Sequence, residues 1–211
     1  MQLKSFKEFV GIVIEEGNRF QRHDINGELT TPRKFTDMQV IAAILALASV
    51  VILPAGFEAD FVRDTIVFLG IFIGLFVGII ISLHDRSKTL LTEYSAKTDE
   101  EKPTVIVLKN YMYQFTALTA NAIFFALVLS GLLMITLLHK IFHTDIYDYR
   151  FLHIAEISLS SIFCFVGLSL LILHRIVVVY LLVSFFSIAI YSTTSYFSYL
   201  LSEYKKMKLK K

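Results

Sequence analysis

Tryptophan is absent from this chain of 211 residues, cysteine occurs once and proline only three times. A single thiol, Cys164, excludes an intrachain disulfide framework and any multi-thiolate metal centre. Three prolines leave long stretches free of the residue that breaks helices. Charge is missing from particular places: residues 38–56, 65–83, 110–138, 154–173 and 176–202 hold one charged side chain between them, Glu156. Transporters, proton relays and voltage sensors keep ionisable groups at mid-membrane depth, so such charge-free blocks weigh against them. Also lacking are a Gly-rich phosphate loop, a nucleophile elbow, an HExxH pair and a paired-Cys motif. The chain is therefore expected not to be an enzyme and to hold no cofactor or metal. Its aromatic residues sit in the apolar blocks and at their boundaries, which gives no stacking platform for direct nucleic-acid contact.

What is present is apolar length. A spanning helix needs roughly 20 apolar residues, and each of the five blocks is long enough. Backbone in lipid must satisfy its own hydrogen bonds, and no strand alternation is visible, so the expected class is an all-α integral membrane protein. With the N-terminus placed in the cytoplasm and the first four blocks counted as spans, all of the 20 Lys and Arg except Arg63, Lys140 and Arg150 fall inside. That asymmetry is the positive-inside pattern of an inner-membrane protein with both termini cytoplasmic. The first 17 residues interleave Lys4, Lys7, Glu8, Glu15 and Glu16 with apolar residues, so no signal peptide is expected there.

The fifth block follows the fourth with only His174 and Arg175 between them, and a helical reversal needs turn chemistry that is missing there. One long helix from about residue 151 to 204 is expected instead, leaving the membrane near His174 as a cytoplasmic extension. Crossing a fifth time would strand the Lys205–Lys211 cluster outside. The organisation is then a cytoplasmic amphipathic helix and loop (1–37), a four-helix transmembrane domain (38–173) with an inner loop at 84–109, and an apolar extension with a basic tail (174–211). Leu3, Phe6, Val10 and Val13 give the N-terminal helix its apolar face.

Several small constellations carry the candidate sites. Gly70, Gly74 and Gly78 form a double small-xxx-small ridge, and Ala122, Ala126 and Ser130 form a similar one. Such ridges let helices approach closely in lipid, within one chain or between the copies of a homo-oligomer. His84 and Arg86, with His174 and Arg175, are placed at one inner level as depth anchors, or as a gate in an oligomeric pore. Lys205, Lys206, Lys208, Lys210 and Lys211 make a tail suited to anionic membrane lipids or an acidic cytoplasmic partner protein. His139 and His143 share the four-residue spacing of two-His metal sites, but at a membrane boundary interfacial polar contacts are expected of them.

A short four-span chain with a basic inner side and no catalytic motif resembles the membrane subunits of bacterial antiphage defence operons, the Kiwa system in particular. That resemblance lies in the layout of the whole chain. It implies a homo-oligomer that senses phage-induced membrane change and works with a cytoplasmic DNA-binding partner. The small membrane proteins that accompany some RNA-targeting CRISPR nucleases share the outline. The expected function is thus a non-catalytic oligomeric sensor or scaffold signalling to a cytoplasmic partner in antiphage defence; the alternative is an oligomeric ion channel or membrane-perturbing effector.

Overall fold

The computed structural model describes residues 5–22, 35–96, 102–139, 142, 145–146 and 159–209. They form five α-helices: α1 (Phe6–Phe20), α2 (Asp37–Ile52), α3 (Ala59–Ala96), α4 (Lys102–Leu138) and α5 (Leu159–Leu209), with no strand among the described residues. The helix α1 starts on a capping signature. Ser5 accepts a hydrogen bond from the Glu8 amide at 3.3 Å, and the Ser-x-x-Glu spacing is that of a capping box. Val13 and Phe20 on its apolar face are buried. Leu3 and most of the following loop (23–34) lie outside the described residues.

The three long helices run far past the length a bilayer needs. At 1.5 Å per residue, α3 and α4 extend about 55 Å and α5 about 75 Å, against a hydrocarbon core of about 30 Å. The stretches Ala59–Thr89, Val105–Leu138 and Phe165–Leu201 are long and apolar enough to cross a membrane. As expected, α3 and α4 continue as helices well beyond their charge-free parts, and no break separates the fourth and fifth apolar blocks. Of the inner loop expected at 84–109, residues 84–96 and 102–109 are helical and 97–101 lie outside the described residues.

The count of four long spans is corrected to three. Helix α2 has 16 residues, about 24 Å, because Pro54 disfavours helix at Leu53 and Gly56 adopts φ +81°. A Cβ at position 56 would lie 2.7 Å from the Phe142 carbonyl oxygen, so the turn needs glycine for space as well as for its backbone angle.

The chain divides into two packing units, one comprising residues 1–36, 72–124 and 185–211, the other residues 37–71 and 125–184. In the first, Leu83, Val105, Leu108, Met112, Phe115 and Tyr199 make the core. An aromatic chain ties its helices together: Phe72 meets Phe185 edge-on at 4.7 Å, Phe76 stacks with Phe115 at 6.4 Å, and Phe115 meets Tyr196 at 5.3 Å. Thr119 and Ser192, both fully buried, share a hydrogen bond between their hydroxyls at 2.5 Å, so α4 and α5 run antiparallel here. In the second unit Ala42, Ala46, Val62, Leu69, Ala126, Leu129, Leu133, Leu171 and Val178 are all buried.

Helix α5 buries Phe185, Ile188 and Tyr199 and yet also exposes a large apolar surface. Ser184, Ser192 and Ser195 are buried, while Phe186, Ile190, Phe197 and Leu201 are exposed, Ile190 at 65 %. Likewise α3 exposes Val67, Ile71 and Leu75, and α4 exposes Leu127 and Met134. Water would penalise these surfaces heavily; lipid does not, and in lipid the small polar side chains serve as contacts between helices. The part of α5 expected to leave the bilayer, residues 176–202, lies, all but Ser202, within the apolar stretch Phe165–Leu201 that is long enough to cross.

Candidate functional site

Of the four residues placed at one inner level, His84 and Arg86 belong to the first unit and His174 and Arg175 to the second. Arg175, 1 % exposed, donates through Nη1 to the carbonyl oxygens of Leu53 at 2.9 Å and Pro54 at 2.6 Å, at the C-terminal end of α2. The attraction is local: the carbonyls just past the end of α2 have no helical partner, and a guanidinium supplies donors to them. The Ile146 amide also donates to the Pro54 carbonyl at 2.9 Å, joining a third segment to the turn. Beside Arg175, the His174 ring lies against Phe142, with centroids 4.1 Å apart, and its Nε2 is 3.2 Å from the Thr136 hydroxyl on α4.

The two small-residue ridges have different fates. Ala122 and Ala126 are fully buried and Ser130 is half-buried, so the α4 ridge is used within the chain. Gly70, Gly74 and Gly78 are exposed, and a Cβ built on any of them meets no atom within 4 Å. The α3 ridge is open.

Two features were not legible from periodicity. Helix α1 presses a carboxylate against α4: Glu16 acts electrostatically on Tyr113 and pairs with Arg19 at 3.6 Å. Next to it Gly17 sits so close to Asn121 that even a Cβ would collide with the amide side chain. Asn121 is fully buried, and neither its amide nitrogen nor its oxygen has a hydrogen-bond partner.

The second feature is a groove of about 670 Å³ between α3 and α4. Ile80, Leu83, Met112 and Thr116 line it within the charge-free stretches, and His84 and Lys109 line it just beyond their ends. Tyr113 joins the lining, and Phe20 of α1 packs edge-on against its ring at 5.3 Å. The Arg19 guanidinium lies 5.7 Å from the Phe20 ring centre, its charge paired with Glu16. Neither Lys109 nor Tyr113 stands out in the sequence, because each acquires its role only from the neighbouring helix.

Lys205, Lys206 and Lys208 fall in the last turns of α5, whereas Lys210 and Lys211 lie outside the described residues, as does His143. No group of three or more His, Cys, Asp and Glu is arranged to hold a metal among the described residues. The arrangement is that of an all-α protein with apolar helices able to cross a membrane. Comparisons with protein-family models, curated proteins and solved structures find no match to this chain.

Proposed function

We propose that this chain is a non-catalytic, homo-oligomeric sensor or scaffold of the cell inner membrane, which passes a disturbance of the bilayer to a cytoplasmic partner protein. One observation carries the reading: α3, α4 and α5 each run without interruption from a charge-free stretch into a charged end. A continuous helix is a stiff element, so tilt or rotation in lipid is transmitted to residues beyond it. The resemblance to antiphage membrane subunits supports phage attack as the stimulus. Replacing Lys205, Lys206, Lys208, Lys210 and Lys211 with Gln should abolish phage resistance in a host carrying the gene with its natural neighbours, at unchanged membrane levels of the protein. Full resistance in that variant would sink the role of the tail. Ion release from liposomes holding the pure chain would replace the sensor with the pore.

The topology that accompanies this function keeps both termini cytoplasmic but shifts the last crossing. Helix α2, with residues 53–57, makes a short first span that local bilayer thinning accommodates. Helices α3 and α4 cross next, and α5 crosses through residues 176–201, from Arg175 outside to the lysine tail inside. Arg63, Lys140, Arg150 and Arg175 are then the outer cations, and the inner bias survives. Leu173, exposed in the chain, tests this. In a Cys164→Ser background, a Leu173→Cys chain should react with a membrane-impermeant maleimide from outside the cell, and a reporter fused after Lys211 should be cytoplasmic. Labelling of Leu173→Cys only from the cytoplasmic side would overturn the shifted crossing.

A further inference from the structure

We infer that the groove between α3 and α4 is a binding site for one anionic phospholipid, its headgroup on Lys109 and one acyl chain against Ile80, Leu83 and Met112. The inference rests on α3 and α4 crossing the bilayer. Its basis is the way the lining changes along both helices at the same place. On α3 the lining passes from Ile80 and Leu83 to His84 and Ser87; on α4 it passes from Thr116 and Met112 to Asn110 and Lys109, with Val105 and Ile106 one turn further on. These are the points where the charge-free stretches end, so the groove straddles the boundary between hydrocarbon and headgroups. Its apolar length and its polar lip thus match the two ends of a phospholipid.

The sign of the lip selects the headgroup. Lys109 is exposed, and among the described residues no carboxylate lies within ion-pair distance of it. His84 supplies a hydrogen-bond donor on the facing helix. An acyl chain gains little by leaving bulk lipid for an apolar groove, because both surroundings are hydrocarbon. Preference among lipids must therefore come from the charge. Basic pockets between helices on the cytoplasmic side capture anionic headgroups in this way, and one near-surface cation is worth about fivefold in affinity.

The chain's lack of tryptophan makes the test direct. An Ile80→Trp chain, reconstituted in phosphatidylcholine vesicles, carries one Trp at the groove, and lipids brominated on the acyl chain quench it on contact. Brominated phosphatidylglycerol should quench at a several-fold lower mole fraction than brominated phosphatidylcholine. Adding Lys109→Gln should reduce that preference about fivefold, and Lys109→Arg should keep it. Equal quenching by the two lipids, or a preference indifferent to Lys109→Gln, would overturn the site. Alkaline carbonate separates the two levels of failure. A chain that washes off the vesicles overturns the crossing itself, whereas one that stays embedded without lipid preference overturns only the lipid site.

Discussion

Truncating Arg175 to alanine is expected to destabilise the chain by roughly 3 kcal/mol, the balance of two opposed effects. Against the native residue stands the cost of holding a guanidinium away from solvent, several kcal/mol for an isolated ion. For it stand two hydrogen bonds from a charged donor, each worth about 1.5–3 kcal/mol, and the packing of one of the largest fully buried side chains, whose loss leaves a cavity. The carbonyls of Leu53 and Pro54 are not orphaned by the truncation, since the amides of Gly56 and Ile146 still donate to them. The loss therefore lies in the charged bonds and the void. Thermal inactivation of a detergent-solubilised fluorescent fusion, read as the monodisperse fraction after heating, should show the midpoint falling on the order of 10 °C, at a few degrees per kcal/mol for a chain of this size. Arg175→Met fills the space without donors and should recover only part of the loss. A methionine variant as stable as the native chain would show that Arg175 contributes volume alone.

The same residue marks the limit of reading this sequence by charge. All-α membrane architecture was legible because charge-free blocks of about 20 residues leave few alternatives. The absence of a hairpin at His174 and Arg175 was legible from turn chemistry, and α1 from its apolar spacing. Counting cations by side treats every Arg as a solvent-facing marker, however, and does not foresee a buried guanidinium that donates to two carbonyls past a helix end. Which face of α5 is buried depends on α4: Ser192 turns inward because Thr119 is there to meet it. The groove was illegible for a related reason. His84 and Lys109 lie on different helices, and no periodicity within either one announces the other.

Replacing Gly74 with leucine should leave the single chain at least as stable as before and abolish its self-association. Within the chain nothing approaches that position. A Cβ at Gly70, Gly74 or Gly78 meets no atom within 4 Å, and a helical glycine costs about 0.5–1 kcal/mol relative to alanine. Leucine is nearly as good a helix former as alanine, so the monomer gains if anything. Exposed leucine on a helix already showing Val67, Ile71 and Leu75 adds nothing foreign to lipid. A second copy meets a different situation. Helices pack on a glycine ridge because their backbones can come close, and an isobutyl group at the centre of the ridge holds them apart. Mass photometry of the chain in lipid nanodiscs should therefore show assemblies for the native sequence and single chains for Gly74→Leu, with unchanged thermal midpoints in detergent. Ala122→Leu supplies the contrast. That ridge is fully buried, so overpacking there should cost about 1–3 kcal/mol of the chain's own stability whether or not copies assemble. Assemblies undiminished by Gly74→Leu would remove the α3 ridge as the interface. Copies would then have to meet on another exposed apolar face, such as Phe165, Val166, Leu170 and Leu173 of α5.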